Sequence, residues 1–166
     1  FESLSESDNW PKILEFESDS ETAVSHCEFS EDEAFVVAAV KDNSVSQNLH
    51  CKIACWSTVD ARMLKQNPGT DGTIPKGSIS HIRVAVNTST GSVVIVCCGD
   101  DRDVHVWRGG SPFSEEQIIL VGHDDRVNSS SIMCCGSGDY VLTCSDDGTV
   151  RYWALLASKP SKYVRA

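Results

Sequence analysis

The apolar residues of the chain fall into short segments that turn-forming residues separate. Some segments are continuous, such as 35–40 and 93–98, and others alternate with polar residues, as in 104–107 and 150–153. Both patterns are typical of β-strands, and the continuous ones are typical of strands buried on both faces. No stretch carries the apolar stripe of an amphipathic helix over several turns. The pattern therefore predicts an all-β fold.

Three tryptophans, Trp56, Trp107 and Trp153, close three similar stretches of sequence. Each stretch contains an earlier strand-like block, at 24–29, 81–86 and 127–132. The block ends 21 residues before the tryptophan in the second and third stretches and 27 residues before it in the first. The chain therefore contains three repeat units, and the first carries about six additional residues.

The third unit carries the most distinctive residues. Gly122-His123 opens it, Thr143 lies in its second strand-like segment, Asp146-Asp147-Gly148 is a tight-turn signal, and Trp153 closes it. His123 and Trp153 lie 30 residues apart. This arrangement resembles a WD40 repeat, a unit of about 40–45 residues that forms one blade of a β-propeller. The resemblance extends over roughly residues 22–157 and is strongest in the third unit.

The resemblance implies an all-β chain of WD40-type blades, about three antiparallel sheets side by side that end near the three tryptophans. It also implies a structural hydrogen-bond network within a blade. In the third unit this network would join His123, Thr143, Asp147 and Trp153, and in the second unit it would include Asp101 and Trp107. The His-Thr-Asp set could be mistaken for a catalytic triad, but the motif assigns it to stabilising the blade.

The other two units depart from the pattern. In the second unit Cys97 stands where Ser or Thr is usual, no Gly-His precedes it, and His81 is too close to Trp107 to replace that histidine. In the first unit His50 stands in place of the turn aspartate. We therefore expect the first two blades to be held less tightly than the third. No tryptophan of the three is followed by Asp, so the Trp-Asp-x-Arg docking motif of some relatives is missing there.

The chain divides into an acidic lead segment, residues 1–21, and the repeats, residues 22–166. Within the lead segment, residues 12–16 resemble the outermost strand of a preceding blade. At about 40–45 residues per blade, the chain could hold about four blades, whereas three units carry signatures. We therefore expect an incomplete, open propeller, the C-terminal part of a larger protein, whose first and last sheets do not pair.

Charge is concentrated at the start of the chain. The net charge is −10, and residues 1–33 carry eleven acids against one base. An acidic chain repels phosphate groups, so nucleic acid is not an expected partner. The acidic start is interpreted as a solvated segment, and the alternative is that its Ser-acid motifs are phosphorylation sites.

The chain has eight cysteines, and their spacing argues against a metal site. Residues four apart on a strand, such as Cys51 and Cys55, lie about 13 Å apart, too far to share one zinc ion. We expect small buried side chains with reduced thiols, and no metal or cofactor. The alternatives are a disulfide framework and a nucleophilic Cys27 beside His26. No apolar run reaches the roughly 18 residues of a membrane span.

These features favour a non-catalytic scaffold that binds protein or peptide partners in the cytoplasm, with the nucleus as the alternative. Two enlarged loops on one rim are the candidate binding surface, unless they are neutral surface variation. They contribute Asp42, Asn43, Gln47 and Asn48, and then Asp71 and Lys76. One alternative is the regulatory repeat tail of a multidomain ATP-dependent sensor. A second alternative is a hydrolase or oxidoreductase of the propeller type.

Overall fold

The computed structural model describes residues 22–42, 51–60, 62–66, 76–110, 116–135, 138–155 and 163–165. Within these residues the secondary structure consists of strands and turns without a helix, which confirms the all-β prediction. The strands are β1 (Thr22–Phe29), β2 (Phe35–Asp42), β3 (Cys51–Ser57), β4 (Met63–Gln66), β5 (Ile79–Asn87), β6 (Ser92–Gly99), β7 (Val104–Gly109), β8 (Glu116–Val121), β9 (Val127–Cys135), β10 (Gly138–Ser145), β11 (Val150–Leu155) and β12 (Tyr163–Arg165).

The strands form three sheets, and consecutive strands pair in an antiparallel manner within each one. Sheet 1 has the order β1-β2-β3-β4, sheet 2 contains β5-β6-β7-β8, and sheet 3 contains β9-β10-β11. In the described residues no strand pair joins the first sheet to the last, so the sheets are open, as predicted.

Two features of the sheets differ from the expectation. Sheets 1 and 2 do not end near Trp56 and Trp107 but continue into a fourth strand, β4 and β8. In addition, β12 pairs in parallel with β8 at the outer edge of sheet 2, where Tyr163 lies opposite Ile119. The pairing of β12 could not be foreseen, because a parallel partner distant in the chain leaves no local pattern.

The second and third strands of the three units share one pairing register around the closing tryptophan. Each closing tryptophan lies opposite a central residue of the second strand: Trp56 opposite Val36, Trp107 opposite Ile95 and Trp153 opposite Val141. These three positions fix equivalent residues along the sheets. Two residues further along the second strand are Ala38, Cys97 and Thr143.

Two apolar clusters connect the sheets. The first lies between sheets 1 and 2 and includes Val37, Ile53, Ile95 and Trp107. The second lies between sheets 2 and 3 and includes Val94, Val106, Val141 and Trp153. The tryptophan of each later sheet therefore packs against the face of the sheet before it, and the burial of these faces stabilises the arrangement of the sheets.

A buried polar cluster also links sheets 2 and 3. The Asn87 side-chain amide donates to Asp139 Oδ1 at 2.9 Å, and Arg108 Nη1 lies 3.7 Å from Asp139 Oδ2. Arg108 also donates to the carbonyl oxygen of Leu155, at 3.0 Å, at the end of β11. Because Asn87 and Asp139 are buried, each needs these partners to offset the loss of hydration.

Some of the predicted residues lie at or beyond the edge of the described structure. Asp42 is not a loop residue as predicted, because it is the last residue of β2 and pairs with Thr22. The ladder between β2 and β3 extends as far as Lys41 and Cys51, which lengthens the strand. The other predicted loop residues Asn43, Gln47, Asn48 and Asp71, and the segments 1–21 and 12–16, lie outside the described residues.

Candidate interaction surface

The polar residues of the third unit form a continuous chain of hydrogen bonds. His123 Nδ1 lies 2.7 Å from Asp147 Oδ2, and His123 Nε2 lies 2.8 Å from Thr143 Oγ1. Trp153 Nε1 donates to the same Thr143 oxygen at 3.0 Å. Since the carboxylate can only accept, Nδ1 carries the proton, and in the neutral ring Nε2 accepts from the Thr143 hydroxyl. The structure thus brings together all four residues that the motif singled out.

Asp147 is the most connected residue of this network. Its Oδ1 accepts from the Thr149 backbone N–H at 2.8 Å and from the Thr149 hydroxyl at 2.7 Å, and its Oδ2 also accepts from the Asp124 N–H at 3.1 Å. Burial tends to raise the pKa of Asp147, but these donors and His123 outweigh it and hold the pKa well below its usual value. The carboxylate therefore ties the β10–β11 turn to the segment that precedes β9.

The second unit uses a different histidine. Asp101 Oδ2 accepts from the Lys76 backbone N–H at 3.1 Å, as Asp147 does from Asp124, but its imidazole partner is His105 Nε2 at 2.8 Å. His105 lies on β7, two residues before Trp107, and its ring stacks on the indole with centroids 6.2 Å apart. The repeat motif does not predict a role for His105, although His105 lies two residues before Trp107 and therefore on the same face of the strand.

The second unit differs from the third at equivalent positions of this turn, and two of its buried polar atoms lack hydrogen-bond partners. Asp103 occupies the position of Thr149, so Asp101 Oδ1 has none of the donors that Asp147 receives. In the described part of the chain, Asp101 Oδ1 and His105 Nδ1 are buried and make no hydrogen bond. Burial, and then the nearby Asp101 charge, raise the pKa of Asp103. The β6–β7 turn therefore provides its buried carboxylate and imidazole with fewer hydrogen-bond partners than the β10–β11 turn of sheet 3 does.

His81 connects two sheets rather than closing its own unit. Its Nδ1 accepts from the Ser130 backbone N–H at 3.2 Å and lies 3.3 Å from the Ser130 hydroxyl. Burial, followed by the charge of Arg83, lowers the pKa of His81. The neutral ring is thus the form that joins β5 to β9.

The turns and segments at one end of sheets 2 and 3 form an acidic surface, here called the aspartate rim. It consists of residues 76–78, 100–103, 122–126 and 145–149, and it holds seven aspartates against one lysine and two arginines. Arg126 bridges the sheets, since its Nε lies 2.9 Å from Ser80 Oγ and 3.4 Å from Asp100 Oδ1. The predicted loop residue Lys76 lies on this rim and donates to Asp101 through its backbone.

The described cysteines are all free thiols. Burial raises the pKa of Cys55, Cys98 and Cys134 to about 12, and that of Cys97 well above its usual value, so these four stay protonated.

No group of three or more His, Cys, Asp or Glu side chains in the described part of the chain could hold a metal ion. The described residues contain no helix long and apolar enough to cross a lipid bilayer.

Comparison with known proteins gives one family and two curated relatives. The family model described as "WD domain, G-beta repeat" matches residues 114–154. SIR4-interacting protein SIF2 of Saccharomyces cerevisiae is 28% identical over 98 residues, which are 49% of this chain and 17% of that protein. The Denticleless protein homolog of Gallus gallus is 38% identical over 61 residues, 37% of this chain and 8% of that protein. The chain thus spans less than a fifth of either relative.

Two solved structures resemble the chain. One, entitled "Structure of ctPRC2 in complex with H3K27me3 and H3K27M", aligns with a TM-score of 0.56 and 19% identity over 88% of this chain and 28% of that chain. This likeness shows the fold. The C-terminal WD40 domain of Sif2 aligns with a TM-score of 0.37 and 16% identity over 83% of this chain and 56% of that chain.

Proposed function

We propose that this chain, which belongs to the WD40 repeat family, is a non-catalytic scaffold that binds protein or peptide partners through its aspartate rim. The observation that carries the proposal is the hydrogen-bonded attachment of each rim turn to the segment before the first strand of the same sheet. Asp147 holds Asp124, and Asp101 holds Lys76, so the backbone of the rim is fixed before a partner arrives. A preorganised surface loses little conformational entropy on binding.

The charge of the rim indicates the kind of partner. Seven aspartates against three basic residues give a formal charge of −4. Asp101 and Asp147 are nearly buried and bonded to histidines, so the other five aspartates are the ones that attract a segment rich in Lys or Arg and repel nucleic acid. A curated relative supports partner binding in general, since it is named as interacting with SIR4.

The buried polar residues of the third unit support a structural rather than a catalytic role. Both ring nitrogens of His123 are engaged, its side chain has 0% exposure, and the Thr143 hydroxyl is enclosed between His123 and Trp153. A nucleophile and a base must reach substrate, and neither group does so here. We therefore propose that the chain is not a hydrolase or oxidoreductase.

The proposal also concerns the place of this chain within a longer protein. We propose that residues 22–166 are the repeats of a longer propeller protein, of which they form the C-terminal part, and that residues 1–21 lead into them. Both curated relatives are much longer than the segments that align with this chain, which supports a longer repeat protein. Free thiols favour the cytoplasm or nucleus, where cysteines stay reduced.

A charge-reversal pair tests the binding surface. The double variant Asp124→Lys and Asp125→Lys alters the rim, and the control Asp32→Lys and Asp60→Lys makes the same charge change in the turns at the opposite end of sheet 1. On an array of Lys- and Arg-rich peptides, we expect the rim variant to lose binding by about tenfold or more. The proposal fails if both variants bind equally well, or if the unaltered chain binds none of the basic peptides.

A further inference from the structure

The β6–β7 turn of sheet 2 and the β10–β11 turn of sheet 3 have the same length and a similar backbone. In the ladder beside each turn, the last paired residue of the later strand is Val104 in sheet 2 and Val150 in sheet 3, three residues before the closing tryptophan. Each turn also has a positive φ five residues before that tryptophan, 69° at Arg102 and 79° at Gly148. The two turns therefore hold equivalent residues in the same positions.

The residue that follows the positive φ differs between the two turns. In sheet 3 it is Thr149, whose backbone N–H and hydroxyl both donate to Asp147 Oδ1, at 2.8 and 2.7 Å. In sheet 2 it is Asp103, and within the described residues Asp101 Oδ1 is buried without a hydrogen-bond partner. A buried carboxylate oxygen without a donor costs free energy. The β6–β7 turn thus lacks the donors that the β10–β11 turn supplies.

A donor for Asp101 Oδ1 has to come from the chain itself. The side chains of Asp101 and His105 are 10% and 3% exposed, and Oδ1 is buried, so a ligand in solvent does not reach it. His105 Nε2 already donates to the other oxygen, Oδ2, at 2.8 Å. An ionised Asp103 can only accept, whereas a protonated Asp103 carries an O–H donor. Protonation would therefore give this turn a hydroxyl group at the position of the Thr149 hydroxyl.

The surroundings of Asp103 favour its neutral form. Burial raises the pKa of Asp103 most, and the charge of Asp101 raises it further. Three neighbouring groups lower this pKa to a smaller extent: His105, Arg102 and Lys76. The other titratable groups that feel the Asp101 charge are thiols whose own pKa is raised, those of Cys51, Cys97 and Cys98. Asp103 therefore holds a proton at a pH at which an aspartate of the unfolded chain has lost it.

We propose that Asp103 takes up a proton from solvent as the pH falls and donates it to Asp101 Oδ1, so that the two carboxyl groups share one proton across the β6–β7 turn. An O–H bond forms on Asp103, no other covalent bond changes, and the pair keeps a single negative charge. The protonated turn then has a side-chain donor like that of the β10–β11 turn, whereas the ionised turn holds two like charges. The β6–β7 turn is thus more stable in acid than at neutral pH.

The shared proton also changes the aspartate rim. Asp103 is one of the five rim aspartates other than Asp101 and Asp147, and its protonation makes the rim one charge less negative. This consequence rests on the proposed function: a Lys- or Arg-rich partner should be held less tightly in acid than at neutral pH. The proton-sharing pair itself does not depend on what the rim binds.

Carbon-13 NMR of the side-chain carboxyl groups of the whole chain, from pH 8 to pH 3, tests the pair directly. We expect the pair to take up its first proton, seen at Asp103, at a clearly higher pH than the aspartates of the chain unfolded in denaturant. In the Asp101→Asn variant the titration of Asp103 should move to lower pH, because the charge that opposes its ionisation is gone. Burial alone would leave the titration of Asp103 where it was.

Two substitutions supply the donor without a titrating group. Asp103→Asn provides an amide N–H, and Asp103→Thr provides the hydroxyl that the third unit uses. We expect either variant to raise the melting temperature at pH 7 by about 2–4 °C. Because the pKa of Asp103 is raised on folding, the unaltered chain gains stability from this group as the pH falls through the folded-state value, so the advantage of the variants should shrink in acid.

The control is Asp124→Asn, which removes one negative charge from the same rim at an exposed position. It should shift the melting temperature less than the Asp103 variants do, and by a similar amount throughout a series from pH 7 to pH 4. This comparison separates the loss of a rim charge from the gain of a donor to Asp101.

Three results would overturn the proposal. One is a titration of Asp103 that coincides with that of the unfolded chain, and another is a titration that Asp101→Asn does not move. The third is an advantage of the Asp103 variants that is equal at pH 7 and in acid, or no larger than that of Asp124→Asn. If these tests fail while the charge-reversed rim variant loses basic peptides, this inference falls and the proposed function stands. If the pair titrates as expected but the unaltered chain binds no basic peptide, only the proposed function falls.

Discussion

Asp101 and Asp147 occupy the same position in successive turns, yet each is paired with a histidine from a different part of its unit. Asp147 meets His123, which precedes the first strand of sheet 3, whereas Asp101 meets His105 on the third strand of sheet 2. Asp147 also accepts from three further donors on Thr149 and Asp124, and Asp101 from one, the Lys76 amide. The two carboxylates are therefore equivalent in sequence position but unequal in structural importance.

This inequality predicts different effects of the same substitution. Asp147→Asn replaces an acceptor oxygen with an N–H donor group in a fully bonded network, so we expect a clear drop in melting temperature. Asp101→Asn removes a charge that raises the pKa of Asp103, which offsets part of the loss. Thermal unfolding of the two variants side by side provides the comparison. An equal or larger drop for Asp101→Asn would contradict the assignment.

Thr143 should be the most sensitive small residue in sheet 3. Thr143→Val keeps the shape of the side chain but leaves Trp153 Nε1 and His123 Nε2 without their shared partner. We expect the free energy of unfolding to fall by about 1–3 kcal/mol, the cost of leaving buried polar groups unpaired. Denaturant unfolding measures it, with Ser131→Ala at an exposed position of β9 as the control, which should stay within about 0.5 kcal/mol. A Thr143→Val protein as stable as that control would refute the role of the hydroxyl.

His81 predicts a dependence of stability on pH. In the folded chain Nδ1 accepts from the Ser130 amide, and the pKa of His81 is lowered, chiefly by burial and then by Arg83. The unfolded chain therefore binds the proton first as the pH falls below about 6.5. Stability from this group is present above that pH and is lost as the pH falls through the lowered folded-state pKa.

The variant His81→Gln isolates this contribution, because Gln can accept from the same amide without titrating. We expect the difference in stability between pH 7 and pH 5 to be smaller in the variant than in the unaltered chain. Chemical unfolding at a series of pH values measures the difference. Identical pH profiles for the two proteins would show that His81 is not responsible.

The cysteines should react at very different rates in the folded chain. Cys27 is exposed, whereas Cys55, Cys97 and Cys98 are buried, and burial raises the pKa of Cys55 and Cys98 to about 12. Only the thiolate reacts with alkylating reagents. Brief alkylation at pH 8 followed by peptide mass spectrometry should therefore modify Cys27 first. Modification of Cys55 or Cys98 at the same rate would indicate a more open sheet than described.

Much of the fold was predictable from local patterns. The alternation and short apolar runs gave the strands of each unit, and the spacing of Trp56, Trp107 and Trp153 gave three sheets, because strand period and turn residues are local properties. The hydrogen-bond partners of the third unit were predictable from Gly122-His123 and the Asp-Gly turn. The prediction that Asp42 lies in a loop was wrong, because the end of a strand depends on its pairing with another strand.

Other features depend on contacts that sequence patterns do not encode. Asn87, Arg108 and Asp139 come from separate strands and meet across two sheets, so nothing in their immediate surroundings marks them. His105 lies on β7 and takes the place of the histidine that the motif puts before the first strand of a unit. The spacing of the family motif therefore does not predict it. Strand β8 was not predicted, although Ile118 to Val121 is a continuous apolar run like 35–40 and 93–98.

The pairing of β12 with β8 separates the order of synthesis from the order of assembly. Sheet 2 begins earlier in the chain than sheet 3, yet its last strand is made after the whole of sheet 3. On the ribosome, the edge of β8 therefore stays unpaired while β9, β10 and β11 emerge, and the closing contact joins residues far apart in sequence, which form slowly. Nascent chains thus pass through a period in which the outer edge of the middle sheet is still open to mispairing.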